Sequence, residues 1–130
     1  MPTIVHFEIP SDDIERSKKF YNDLFGWKFE KWSGSDAMPE GMEYWLISTV
    51  DDKGDNALNG GMMKRQSPQQ QGITNYFDVK SVQEYSAKVE QLGGRVIFPK
   101  HPVPGMGYIA ICTDTENNSF GIFEADQTAK

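Results

Sequence analysis

The residues best suited to chemistry stand in two matching runs, His6-Phe7-Glu8-Ile9 and, seventy residues on, Tyr76-Phe77-Asp78-Val79. Each run alternates a polar or polarisable side chain with an apolar one. That is the period of a β-strand, whose successive side chains point to opposite faces. Phe7 and Ile9 then face a covering helix, and His6 and Glu8 face the other side. Phe77 and Val79 repeat the first set, and Tyr76 and Asp78 the second. An imidazole and a carboxyl two residues apart can act as a general base and its partner. The same pair can equally satisfy each other, the backbone or water, as buried polar groups must. His6 and Glu8 are therefore the candidate catalytic residues, with Tyr76 and Asp78 as candidate ligand contacts. Trp45, on an aromatic strand run, and His101, in the segment Lys100-His101-Pro102-Val103-Pro104, join them as candidate ligand contacts. For a strand tryptophan the structural alternative is core packing. For a loop histidine it is plain solvation.

These runs need elements to position them, and the stretch from Val5 to Trp27 supplies the pattern. Pro10 ends the strand because it has no N–H to donate. Asp12 and Glu15 occupy the N-cap and N3 positions of a capping box. Ile14, Ser17, Tyr21 and Leu24 form a helical stripe widened by Phe20 and Phe25, and Gly26 stops the helix. The second half repeats the sequence of elements: Ser81 and Glu84 form the capping box, Val82, Tyr85, Val89 and Leu92 the stripe, and Gly94 the stop. Strands are expected at 27–32, 43–50 and 57–64, the last interrupted by Gly60-Gly61 at a bulge or close approach. In the second half they are expected at 73–79, 95–99, 107–113 and 119–124. Loops are expected at 33–42 and 100–106, and turns at 51–56 and 114–118. The tail 125–130 reads as frayed. Each half is thus βαβββ, and such a unit cannot bury both faces of its sheet alone. The fold class is α+β: two βαβββ units, about 3–65 and 73–125, with curved mixed sheets enclosing a cavity and the helices outside. A low-complexity linker at 66–72 joins them within one domain spanning 1–130.

With 130 residues the chain can bury roughly two-thirds of its unfolded surface. A hydrophobic fraction of 38% with 12% aromatics excludes disorder as a class. The net charge of −6 speaks against nucleic-acid and anionic-membrane partners, which need clustered Lys and Arg. The single cysteine, Cys112, rules out an intrachain disulfide and, in a strand run, reads as a small buried hydrophobe. No secretory leader pattern and no apolar run of membrane-spanning length is present, so a cytoplasmic location is expected. No phosphate-binding glycine loop and no Ser-His-Asp or Cys-His arrangement stands out.

Paired βαβββ units carried by HFEIPSDDIERSKKFYNDLFGW, QLGGRVIFP and GYIAICTDTENNSFGIFE resemble the vicinal oxygen chelate superfamily, the glyoxalase/bleomycin-resistance/dioxygenase fold. The resemblance covers about Thr3 to Ala125. It departs from the family pattern at the last turn, where Asp114-Thr115-Glu116-Asn117-Asn118 replaces an Asp-Pro-x-Gly-Asn turn. The superfamily's enzymes hold a divalent metal with side chains from the first and last strands of each unit. Carried over position by position, those places fall on His6, Gly61, Tyr76 and Gly121. Two glycines have no donor and a neutral phenol is a poor one, so no metal site and no cofactor are expected.

The leading functional expectation is a metal-independent protein that binds a small organic molecule in an aromatic-lined cavity, gated by the segment from His101 to Gly107. The alternative is an isomerase or lyase acting beside a carbonyl, with Glu8 as base and His6 or Tyr76 polarising the oxygen. A third class, a partner-binding module with a filled interior, stays open. The resemblance also implies a homodimer.

Overall fold

The computed structural model describes residues 1–34, 43–66 and 72–130. Two compact units emerge, one formed by residues 6–73 and the other by residues 1–5 together with 74–130. The expected loop at 33–42 and the linker at 66–72 fall largely outside the described residues.

The first βαβββ run comprises β1 (Ile4–Ser11), α1 (Ile14–Phe25), β2 (Lys28–Lys31), β3 (Tyr44–Ser48) and β4 (Gly60–Lys64). Its strands lie in the order β2-β3-β4-β1, antiparallel except for the parallel pair β1–β4. The second comprises β5 (Thr74–Asp78), α2 (Val82–Gln91), β6 (Arg95–Val103), β7 (Gly107–Thr113) and β8 (Ser119–Ala125), in the order β5-β8-β7-β6 with β5 and β8 parallel. The α+β class and the mixed sheets are as the sequence implies.

Each helix covers the apolar face of its own sheet. Ile9, Ile47 and Met62 are buried with Phe7, Ile14, Tyr21, Trp27, Phe29 and Trp45 against them. In the other unit Val82, Ala110, Cys112 and Ile122 form the buried set, with Tyr85 and Val89 of α2 packed on it. Cys112 is a free, buried thiol, held above its ordinary pKa first by desolvation and then by the charge of Glu90.

Several local expectations need correction. The N-cap of α1 is Asp13, whose carboxylate accepts from Arg16 N at 3.1 Å; Asp12 instead meets Arg65 Nε at 2.9 Å. The stripe of α1 is narrower than its spacing suggests: Phe20, Leu24 and Phe25 are each 58% exposed. Ser81 caps α2 as expected, through Glu84 N at 3.1 Å. The left-handed stop after α2 is Gly93 (φ 95°), one residue before the expected Gly94. β4 begins only at Gly60, and its register with β3 runs through Gly60 and Gly61 without a bulge.

The expected loop at 100–106 is the second half of β6 down to Val103, so His101 is a strand residue facing Ile109 of β7 across the pair. Two prolines, Pro99 and Pro102, hid this. They are tolerated because β6 is the last strand in its order and its register shifts twice, between Val96 and Phe98 and again before His101. The tail is not frayed either. Ala129 is buried, its carbonyl accepts from Gly105 N at 2.9 Å, and Asp126 N donates to Met106 O at 2.9 Å.

Candidate ligand-binding site

On β1 the alternation behaves as read: Phe7 and Ile9 join the core under α1, and His6 and Glu8 lie on the opposite face. What gathers there is decided two strands away. Tyr44 opens β3, and β4 separates β3 from β1. Two strand spacings are about 10 Å, more than a tyrosine crosses over a side chain of any size. The intervening residue is Gly61, paired with Glu8 on one side and Leu46 on the other. A Cβ on Gly61 would lie 1.8 Å from the Tyr44 hydroxyl oxygen, so the phenol occupies the space that a side chain there would fill. Across that gap Tyr44 Oη lies 2.7 Å from His6 Nε2 and donates to Glu8 Oε2 at 2.9 Å. The His6 ring stacks on Tyr44 with centroids 6.3 Å apart, and Trp32 meets Tyr44 edge-on at 6.2 Å. Burial pushes the His6 imidazole below its ordinary pKa, because the charged form loses hydration.

The other sequence candidates divide clearly. Trp45 shares the unit of His6 but lies on the helix side, packed with Ile9, Ile47 and Met62, and Lys18 Nζ sits 3.4 Å over its ring. The strand alternation that brings Tyr44 to His6 sends Trp45 away. In the second unit Tyr76 is buried and pairs with Gly121, whose absent Cβ would stand 2.3 Å from the Tyr76 ring. Asp78 accepts from Thr3 N at 2.9 Å and from Thr3 Oγ1 at 3.3 Å, while its own N–H donates to Thr3 O. It ties the amino-terminal residues to this unit. His101 is exposed, and its Nδ1 lies 3.0 Å from Pro99 O.

Sequence reasoning missed Tyr44 as a member of the site. The available signal was Gly61 inside an otherwise regular strand: a glycine there marks a close approach, here by a ring rather than by backbone.

The residues do not fit the divalent metal that the superfamily's enzymes carry. Gly61 and Gly121 offer no donor, and the space for one is filled by Tyr44 in the first case and Tyr76 in the second. Among the described residues no three His, Cys, Asp or Glu side chains gather.

Comparison with known proteins now bears on this geometry. Residues 3–44 match the family model described as bleomycin resistance protein-like, N-terminal. A glyoxylase-like domain-containing protein of Didymella fabae is 65% identical over 23 residues, 18% of this chain and 18% of that protein. The CFP32 protein of Mycobacterium tuberculosis, whose name carries glyoxylase only provisionally, is 24% identical over 128 residues, 92% of this chain. The chain spans 44% of that relative's length. Among solved structures, a methylmalonyl-CoA epimerase in complex with methylmalonyl-CoA and ammonium superposes with a TM-score of 0.67 at 14% identity, covering 100% of this chain and 99% of the other. The Streptomyces coelicolor methylmalonyl-CoA epimerase, with 2-nitronate-propionyl-CoA, gives 0.66 at 14% identity over 98% and 97% of the two chains.

The family-model match, the glyoxylase-named relatives and the epimerase structures all point to the vicinal oxygen chelate superfamily. The match to residues 3–44 takes in β1, α1, β2 and the residue that opens β3. It therefore includes His6, Glu8 and Tyr44 but ends before Gly61. The two epimerase structures share this chain's fold, and at their identity they speak for the fold alone.

Proposed function

We propose that this protein binds a small organic molecule without a metal, on the polar face carried by His6, Tyr44 and Glu8. The observation that carries the reading is the unbroken chain of contacts from His6 Nε2 through Tyr44 Oη to Glu8 Oε2 across Gly61. Fixed donors and acceptors beside Trp32 and the Tyr44 ring suit a ligand with a flat apolar body and one or two oxygens. Tyr76, Asp78 and His101 stay candidate ligand contacts of the other unit, taken by itself. The epimerase structures of the same fold are described with coenzyme A derivatives bound, which is a reason to put such compounds in the test panel.

A second reading, isomerase or lyase chemistry beside a carbonyl, is favoured by the same three side chains. Hydrogen-bond donors must then hold the developing oxyanion, a role that pre-organised groups fill in other enzymes. One domain of two units joined near 66–72, a cytoplasmic location and pairing with a second copy belong to the same proposal. Among the described residues no helix is long and apolar enough to cross a membrane. The exposed Phe20, Leu24 and Phe25 of α1 give a second copy an apolar face to cover.

A melting screen against a panel of carbonyl metabolites, coenzyme A thioesters and aromatic acids tests the reading. A true ligand at a hundredfold excess over Kd stabilises by about 2.7 kcal/mol. The shift is expected to persist in chelator and to vanish in His6→Ala. Turnover abolished by Glu8→Gln with binding intact would select the enzyme. A ligand that shifts the melting point as strongly in His6→Ala would place the binding site elsewhere, and no shift from any compound would sink the proposal.

A further inference from the structure

The second unit leaves an apolar space open between its sheet and its helix. The space has a volume of about 310 Å³ and is lined by Pro2, Phe77, Val79, Tyr85, Phe120 and Ile122. Strand alternation supplies four of these walls. Phe77 and Val79 share one face of β5, Phe120 and Ile122 share one face of β8, and Ile122 pairs with Phe77. Tyr85 comes from α2. Pro2 belongs to the amino-terminal residues of the same unit and stands beside a tied neighbour. Thr3 N and Oγ1 donate to Asp78 Oδ1 at 2.9 and 3.3 Å, and Asp78 N donates to Thr3 O at 3.1 Å. The walls expose carbon alone, so water in this space meets no hydrogen-bonding group and an apolar occupant displaces it favourably.

The first unit shows what such a wall takes. Phe7 holds on β1 the place that Phe77 holds on β5, and the indole of Trp27 covers it at 5.7 Å. Tyr21 of α1 stacks on the same indole at 5.0 Å. In the second unit α2 also contributes a tyrosine, but residues 1–5 and 74–130 contain no tryptophan. The Phe77 and Phe120 rings stand at 81° to each other with centroids 6.1 Å apart. A flat ring laid on one of them therefore meets the other edge-on, and aromatic pairs favour both arrangements. An apolar cavity of about 150 Å³ takes benzene, so about twice that volume takes a bicyclic ring. We propose that this depression binds a small, flat, uncharged aromatic molecule about the size of indole, which does in the second unit what the Trp27 side chain does in the first. An ionised group on the ring would lose its hydration against carbon walls and gain no partner there. His6, Tyr44 and Glu8 belong to the first unit, so the inference stands apart from any ligand on their face.

Indole itself is the probe, titrated into the full chain and followed in proton–carbon methyl spectra. The Ile122 and Val79 methyls are expected to move by ring-current shifts that saturate, with a dissociation constant on the order of a millimolar for so small a ligand. The methyls of Ile47 and Met62, buried in the first unit, are expected to stay in place. Val79→Phe puts a ring of the chain's own into the space and is expected to remove the Ile122 shift. Should that variant fail to fold, Tyr85→Ala removes one wall at a helix position where alanine is favourable, and is expected to weaken binding roughly two- to tenfold. The aliphatic comparison is n-octanol, with as many heavy atoms as indole, and it is expected to bind several-fold more weakly. Equal affinity for n-octanol overturns the aromatic ligand class. An Ile122 shift that is absent or fails to saturate up to the solubility of indole overturns the site. The same follows from binding unchanged in the variant that folds. Ile122 shifts that follow protein concentration without indole would seat a second copy there and overturn it too.

Discussion

The two units repeat one βαβββ plan and have used it for different ends. On the helix side of the first, Trp27 fills the space between sheet and helix: it stacks on Tyr21 at 5.0 Å and meets Phe25 and Phe7 at 5.3 and 5.7 Å. On the helix side of the second, Phe77 and Phe120 meet edge-on at 6.1 Å. An apolar depression of about 310 Å³ lies between them and Pro2, Val79, Tyr85 and Ile122. The cause is local. The left-handed Gly26 is followed directly by Trp27, whereas the left-handed Gly93 is followed by Gly94, which brings no ring to that place. On the opposite face the inequality continues. Each unit lays a tyrosine over a glycine, Tyr44 over Gly61 and Tyr76 over Gly121. In the first the phenol joins an imidazole and a carboxylate; in the second the matching acid, Asp78, accepts from Thr3. The lesson is that a repeat conserves where side chains point, and the one or two residues that differ decide whether chemistry gathers there.

The largest expected effect tests the packing side of this contrast. Met62 and Ile122 are both buried, but Met62 lies in the unit filled by Trp27 and Ile122 borders the depression. Truncating a buried Met or Ile to Ala costs about 2–5 kcal/mol, depending on how many partners the lost atoms had and how far the site collapses. Met62→Ala is expected toward the upper part of that range and Ile122→Ala toward the lower part, read from denaturant midpoints. Equal losses would show that the depression is closed in solution and that the two cores are equivalent.

A middle-sized effect separates the two tyrosine-over-glycine pairs. Gly61→Ala and Gly121→Ala both put a Cβ into an occupied place, 1.8 Å from the Tyr44 hydroxyl and 2.3 Å from the Tyr76 ring. Overpacking of this kind costs about 1–3 kcal/mol. Tyr44 is only half-buried and can swing aside, so Gly61→Ala is expected to be the milder change in stability. It should nevertheless be the one that destroys the contact with His6 and Glu8 and any ligand shift. Tyr76 is buried, so Gly121→Ala should cost more stability and leave the nitrogen-15 spectrum of the His6 imidazole as it is. A Gly61→Ala protein with an unaltered His6 spectrum would show that Gly61 does not govern the site.

What the sequence made legible follows from the range of each interaction. Helices, caps and strand alternation depend on residues within one turn or one strand, and these came through with shifts of a residue. Asp13 caps in place of Asp12 because Arg65, far along the chain, engages Asp12. The polar faces of β1 and β5 were legible for the same local reason. Tyr44 was not, because its role depends on β4 lying between β3 and β1 and on Gly61 standing at the crossing. His101 was misplaced because prolines signal a loop unless the strand is known to be the last of its sheet. The tail looked frayed because it is tied by hydrogen bonds to Gly105 and Met106, a turn far back along the chain.

The smallest expected effect is a pH dependence confined to one side of the comparison. His6 is held below the ordinary histidine pKa of about 6.5 by burial. In the interval between its folded and unfolded pKa values the unfolded chain binds more protons, so stability rises with pH there. The contribution is fully present above the unfolded value and is lost as pH falls through about 6.5 toward the depressed folded value. The Tyr44 hydroxyl meets the ring directly and the Glu8 carboxylate through that hydroxyl. A carboxylate at one remove favours the protonated ring and works against the burial effect, which keeps the net slope small. Urea midpoints measured between about pH 8 and pH 5 are expected to fall further for the wild-type protein than for His6→Gln. A His6→Gln curve parallel to the wild type would mean that the imidazole is as easily protonated in the fold as outside it.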